Sequence, residues 1–388
     1  MRDGCSAWIV RVVLFGVMVA VSAVWMAGCA GGDPALGWAD GEAEGRPAPV
    51  RRVSAYETAV VRSVLREEAI AELEGALSSD SALLRANALE GLRWAPSRLR
   101  GALPGALEDR NAGVRFAAGM LAGEFRVRGV REELEGLLSD RDERVRMAGI
   151  YGLARLGVGV DRTPLAEALG GGDAMVRRQA VFVLGELGDG SAVPLLREAR
   201  RAGGGAGGSG SDGTLLRLMI AEALMKLGES GVESVLRSAL YPGSREEVEA
   251  SVLAAQMIGE ARVRTAIGQL VSVIEQPARG SEGVGDPRER EYLWPMELRL
   301  AASLALAEMG ELGGVFVADL AFDDESAVVR SQAAFVYGWA GRPIDLAKLE
   351  LLMADRAALV RVAASASVLR ALADGGDLAG GDGLVGGS

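Results

Sequence analysis

The sequence contains no histidine. This excludes Ser-His-Asp and Cys-His nucleophile systems, histidine general bases, His-ligated zinc, c-type haem and HExxH metalloprotease sites. Cysteine is nearly absent too, with Cys5 and Cys29 near the start and none beyond. Neither a disulfide framework nor a cysteine-rich metal site fits the body of the protein. Lysine occurs only at Lys226 and Lys348. Positive charge is in deficit overall, because 42 basic and 53 acidic residues leave a formal net charge of −11. A broad cationic footprint for nucleic acid is therefore not expected. No run of alternating apolar and polar residues argues for strands. The 49% hydrophobic content is ordinary for a folded globular protein.

One long apolar run is present, near the N-terminus. Arg2 and Arg11 precede Val12 to Val24, and Trp25-Met26-Ala27-Gly28-Cys29 follows. A basic start, an apolar stretch of this size and small residues before a cleavage point describe a secretory signal. Met26-Ala27-Gly28-Cys29 resembles the lipobox of bacterial lipoproteins, with Met26 in place of the usual leucine. That resemblance implies cleavage before Cys29 and a diacylglycerol on its sulfur. The residues alone leave an uncleaved anchor open, although the 16 residues from Val12 to Ala27 fall short of the ~20 of a spanning helix. Either reading puts the body outside the cytoplasm, in the cell envelope, facing the periplasm or an extracytoplasmic surface. Ala30 follows Cys29 where many Gram-negative lipoproteins retained at the inner membrane have Asp, so the outer membrane is favoured. The expected organisation is a signal peptide over 1–28 and a lipidated cysteine with a flexible tether over 29–51. A helical body over 52–373 and a disordered Gly- and Asp-rich tail over 374–388 complete it.

The body repeats itself. The shared pattern is an arginine, alanine three residues on, apolar residues at seven and ten, and glycine at eleven, and individual copies depart from it at one or two positions. Arg146, Arg177, Arg217, Arg299 and Arg330 head clear copies, and Arg85, Arg115 and Arg361 weaker ones. Val248 takes the arginine position in EVEASVLAAQMIG. The heads are 30 or 31 residues apart, except for gaps of 40 and 51 that each contain an insertion. A fixed period with loop insertions marks a solenoid of helix pairs. Spacings of three and four put the apolar positions on one helix face. Alanine at the third position (Ala88, Ala118, Ala180, Ala302, Ala333, Ala364) admits a close neighbour. Gly157, Gly188, Gly228, Gly259, Gly310 and Gly341 suit the left-handed residue that ends a helix. Nine helix pairs are expected, with an N-terminal cap around Ser54 to Arg66.

Asp109, Asp140, Asp324 and Asp355 each lie six residues before a repeat arginine, Arg115, Arg146, Arg330 and Arg361. This ladder, with its alanine and closing glycine, closely resembles HEAT repeats, in particular the short ones of phycobilin-lyase type. The resemblance covers Arg66 to Ala373 and implies an all-α, right-handed α-solenoid of about nine helix pairs. It is nearly silent on function. Gly171, Ser211 and Leu293 stand where Asp is expected, which puts a continuous ladder through the middle repeats in doubt. The arginines, Arg177 included, are read as partners of the aspartates and caps for exposed carbonyls, since a residue recurring in every repeat serves the repeat. An exposed pair of this kind contributes about 0–1 kcal/mol.

Two insertions break the period, both between the helices of a pair and hence on one rim. Ala202 to Gly213 is a Gly/Ser linker. Gln276 to Pro295 carries several charges and then Tyr292, Leu293 and Trp294. Tyr292 and Trp294 are candidate partner anchors. The competing reading folds them back onto the groove beside the preceding helix.

No catalytic constellation emerges. Di-iron hydroxylases of HEAT architecture need His-Glu pairs, and HEAT-like DNA glycosylases a basic concave surface. Phycobilin lyases share the repeat but act in the cytoplasm. Glu67-Glu68, Glu132-Glu133 and Glu246-Glu247 read as solvated helix starts. The expectation is a non-catalytic, lipid-anchored scaffold that binds a protein or peptide along its concave face, with no metal, cofactor or nucleic acid. A purely structural envelope spacer and an exported lyase-like enzyme are the alternatives.

Overall fold

The computed structural model describes residues 52–203, 211–244, 247–278 and 291–373. Cys29, the tether and the tail, and most of both insertions lie outside these residues. The described residues form eighteen α-helices and no strand. They make nine antiparallel pairs. The first helices are α1 (Ala59–Ala76), α3 (Pro96–Leu107), α5 (Arg131–Leu137), α7 (Thr163–Gly170), α9 (Val193–Gly203), α11 (Glu233–Ser238), α13 (Ile267–Glu275), α15 (Phe316–Ala321) and α17 (Pro343–Met353). The second helices are α2 (Ala82–Gly91), α4 (Ala112–Glu124), α6 (Glu143–Arg155), α8 (Ala174–Leu187), α10 (Ser211–Lys226), α12 (Val248–Glu260), α14 (Met296–Glu308), α16 (Ala327–Ala340) and α18 (Ala358–Ala373). The fold is an α-solenoid.

The boundaries follow from local chemistry. Several second helices start on a polar cap: the Asp173 carboxylate accepts from Met175 and Val176 N–H, and Asn111 and Asp142 cap α4 and α6 in the same way. Helices α8 and α16 stop at Gly188 (φ 67°) and Gly341 (φ 62°), left-handed residues that a larger residue would strain. The six expected alanines all have 0% exposure, so the closest helix–helix contacts fall where the repeat places them.

The sixth pair has a different register. Second helices usually begin three residues before the repeat arginine, as Ala112 does for Arg115 and Ala327 for Arg330. Helix α12 begins at Val248, so Ser251 and not Val248 occupies that position. Gly259 is correspondingly no terminator. It lies inside α12, where a Cβ would collide with Ala305 of α14. The left-handed residue comes three positions later, at Arg262 (φ 49°), matching Arg126 (φ 48°) in the second pair. The apolar stripe of α12 is wide enough to fit either register, which hides the slip.

The expected N-terminal cap is also different. Residues 59–76 are the first helix of the first pair. Among the described residues only the 3-10 turn Val53–Glu57 precedes it, and that turn packs on α17 of the last pair, with the Tyr56 hydroxyl bonded to Glu350. This contact belongs to a larger closure. Each second helix packs on the next from α2 to α18, and α18 packs on α1 and α2. Arg361 of α18 donates to Glu72 of α1 at 2.9 Å. The array is thus a closed ring, with the second helices inside.

The ring has no open bore. Every residue from Leu298 to Glu308 of α14 is buried, and so is every residue from Val329 to Gly338 of α16. The stripe five residues after each repeat head fills the centre, and it includes Met120, Tyr151, Phe182, Gln256, Leu304 and Phe335. The exposed concave face expected of an open solenoid does not exist here.

Closure makes a specific prediction at the seam. A Cβ on Gly91 would sit 2.9 Å from the Ala366 Cβ and 3.0 Å from Leu73. Gly91→Val should cost about 1–3 kcal/mol. Amide exchange should accelerate together in α1, α2 and α18, at opposite ends of the sequence. Acceleration in α1 and α2 with α18 unchanged would refute a closed ring.

Candidate functional site

Two rims bound the ring. The second helices all run the same way, so one rim gathers their N-termini and the other their C-termini. The described ends of both insertions lead into second helices, α10 and α14, whose N-termini lie on the first of these rims.

The arginine ladder lies on that rim. Arg85 grips Asp109 through Nε and Nη2, both at 2.7 Å. Arg115 holds Asp140 at 2.7 and 2.9 Å, and Arg330 holds Asp355 at 2.8 and 2.8 Å. The carboxylate always belongs to the next pair. Nη1 turns back to the carbonyl of the arginine's own turn: Arg115 to Asp109, Arg146 to Asp140, Arg330 to Asp324 and Arg361 to Asp355. Each aspartate also accepts an N–H two residues on, as Asp324 does from Ser326 and Asp355 from Ala357. These pairs are mostly buried, with side-chain exposures between 7% and 13%. The surface value of about 0–1 kcal/mol therefore understates them, because stripping one partner from a buried pair costs about 3–5 kcal/mol. The Arg115 fork holds Asp140 below the usual carboxylate range. Burial pushes Asp109 and Asp355 upward, but their arginine forks and turn N–H groups outweigh it and leave both lowered. Through the middle pairs the ladder has gaps. Arg146 and Arg177 reach only carbonyls, of Asp140, Arg141 and Gly171, and Arg217 reaches the Thr214 hydroxyl.

Arg299 is the buried exception. It is 2% exposed, and no carboxylate is within ion-pair distance of it among the described residues. Its Nε donates to the Ile274 carbonyl at 3.0 Å, and Nη2 is buried without an acceptor. Desolvation pushes the guanidinium down to about 10, against a smaller upward effect from Tyr292. The Tyr292 ring lies over it, 3.3 Å from centroid to Cζ. Tyr292 is held by a short strap: Ala278 N–H donates to Glu291 O at 2.9 Å and Leu293 N–H to Gln276 O at 3.0 Å. Trp294 is half-buried against the core, its ring 6.2 Å from that of Tyr241. Leu293 and Tyr241 face solvent, 44% and 38% exposed. The two anchor candidates thus turn inward, and the leucine between them turns out.

A second constellation, on the C-terminal rim, was not expected from the sequence. Nine residues after each repeat head stand Trp94, Glu124, Arg155, Glu186, Lys226, Glu260, Glu308, Trp339 and Arg370, counting Ser251 as the sixth head. Arg93 bonds Glu124 and lies 3.7 Å from Glu90, while Lys226 bonds Glu186 and reaches Glu222 at 3.0 Å. Arg370 lies 5.0 Å from the Trp94 ring and 3.9 Å from the Trp339 ring. Burial pushes Glu90 well above the usual range, opposed by Arg93. Burial and then Glu260 do the same to Glu308, opposed by Arg370 and Arg262. Carboxylates at helix C-termini also face the negative end of the dipole. The sign of this belt in sequence is a glutamate recurring at one position inside otherwise apolar helices. The cavity beside Arg370 and Trp339 is about 10 Å³, room for one water and no substrate. Among the described residues no group of His, Cys, Asp or Glu is placed to hold a metal ion. Glu67 and Glu68 are exposed, as expected of solvated positions, but they lie midway along α1 and not at a helix start.

These shifts set the pH dependence of stability. The lowered aspartates stabilise the fold above their unfolded values near 3.9, and this is lost as pH falls through their folded values. Glu90 and Glu308 are raised, so their contribution is present below about 4.3 and is lost as pH rises through their folded values. Thermal stability should therefore peak near about pH 4, between these two unfolded values, and decline as pH rises above it. Glu308→Gln should flatten the decline and leave the acid limb unchanged. A wild-type melting temperature that is constant from pH 5 to 8 would contradict the assignment.

No protein-family model matches the chain, and no curated protein is similar to it. Among solved structures, human deoxyhypusine hydroxylase in complex with glycerol is similar at 16% identity and a TM-score of 0.32. The match covers 80% of this chain and 98% of that one. An engineered protein is similar at 15% identity and a TM-score of 0.30, over 83% of this chain and 92% of that one.

Proposed function

We propose that this protein is a lipoprotein of HEAT-repeat type, tethered through Cys29 in the cell envelope, whose ring receives a protein or peptide partner on the N-terminal rim. It acts without catalysis, metal or cofactor, and the outer membrane is the favoured site. The observation that carries this reading is the filled centre: with no bore or concave groove, the surfaces left for recognition are the rims and the outer wall. The N-terminal rim receives the described ends of both insertions and bears the exposed Tyr241 and Leu293 beside Trp294. One observation favours a structural envelope spacer instead, namely that Tyr292 and Trp294 are half-buried.

Two outcomes test the proposal. Cys29→Ser should leave the protein in the aqueous phase on detergent partition, or unprocessed, and full membrane partition after signal cleavage excludes lipidation. Leu293→Asp should leave the melting temperature within about 2 °C, because the side chain touches little, and should cut partner capture from solubilised envelope more than tenfold, as loss of an anchor does. Replacing 277–294 by a short Gly-Ser link should also abolish capture. Capture that survives both changes leaves the spacer reading standing.

A further inference from the structure

Every ladder arginine that meets an acid uses the same edge of its guanidinium. In Arg85, Arg115 and Arg330, Nε and Nη2 together hold a carboxylate 24 or 25 residues further on in the sequence. Arg299 also has an aspartate 25 residues on, Asp324, but the pair is not made. Asp324 keeps only the turn bond that the other rungs also have, from Ser326 N–H at 2.8 Å. The 3-10 turn Leu312–Val315 packs on α14, where Ser303 donates to the Gly314 carbonyl at 2.7 Å. What remains is a cation almost wholly removed from water, with Nη2 unpaired among the described residues and an aromatic ring on its face. Such a group is costly, and mutation to an apolar residue of similar size would normally relieve the cost. An unrelieved cost of this kind marks a position kept for something other than stability. It also lies at the one insertion that carries aromatic residues, under a strap closed by two hydrogen bonds.

We propose that Arg299 is a carboxylate-binding site, plugged by Tyr292 in the free protein and filled by an acidic group of the partner. The incoming carboxylate displaces the Tyr292 ring and accepts from Nη2, which is one of the two bonds that Asp109, Asp140 and Asp355 accept at the other rungs, Nε being held by the Ile274 carbonyl. Tyr292 in this arrangement is a stand-in that shields the cation until a ligand arrives. Opening the site breaks the two strap hydrogen bonds and the stack on Arg299. The carboxylate belongs either to an acidic residue or to the free C-terminus of a polypeptide. The site rests on the partner-binding proposal only for the owner of that group.

The test uses the full-length protein and two probes, N-acetyl-aspartate α-amide for an acidic residue and N-acetyl-alanine for a free C-terminus, with acetamide as the neutral control. At saturation, exchange of the Ala278 and Leu293 amides should rise roughly tenfold, the change expected when both strap hydrogen bonds open. Arg299→Met should abolish the response while holding or raising the melting temperature. Tyr292→Ala should tighten carboxylate binding several-fold. The stronger probe identifies the source of the group. An equal response to acetamide, no response to either carboxylate, or a response that survives Arg299→Met would overturn the site, and the first two need no variant. Carboxylate binding with partner capture indifferent to Leu293→Asp would sink the partner proposal alone. Capture without any carboxylate response would sink this site alone.

Discussion

The distance between neighbouring second helices governs this molecule. Alanine at the third position of most repeats, and glycine at the eighth in four of them (Gly123, Gly185, Gly259 and Gly338), let backbones approach until larger residues are excluded. At Gly338 an added Cβ would meet the Ser367 backbone at 2.9 Å, and at Gly185 it would meet Ala223 at 3.0 Å. The inner wall is therefore compressed relative to the outer one, and the curvature per pair is high. Nine such pairs bring the last helix onto the first. The filled centre, the absence of a groove and the confinement of recognition to rims and outer wall all follow from that tight spacing.

The two rims differ electrically because the inner helices are parallel around the ring. Their N-terminal ends attract carboxylates, and there Asp109, Asp140 and Asp355 are held below the usual range and clasped by arginine. Their C-terminal ends repel carboxylates, and there Glu90 and Glu308 are buried and raised, with Arg93 and Arg370 opposing the shift. The same carboxylate chemistry thus stabilises one rim with rising pH and weakens the other.

The helix pairs are legible in the sequence because they depend on short-range regularities. The period, the buried alanines and terminators such as Gly188 can each be found within one repeat. Closure is not legible, since it is a small rotation accumulated over all nine pairs and no single residue encodes it. The register of α12 is ambiguous in sequence because Val248 and Ser251 both begin an acceptable apolar stripe. The charged belt is hidden because its glutamates look like surface residues until the centre of the ring is known to be full. The Tyr292–Arg299 stack joins the end of an insertion to a repeat position, and sequence spacing alone offers no reason for the ring to turn inward.

Closure also fixes a number. An open helical array can lengthen or shorten by duplicating or deleting a unit, because its ends do not have to meet. Here each pair turns the backbone through one-ninth of a circle, so a tenth pair would overshoot the seam and an eighth would leave it gaping. Whole-unit change is barred, and the permitted variation falls on the connections inside a pair. Both departures from the 31-residue period are of that kind: length was added to loops on one rim, while the count of helices stayed the same.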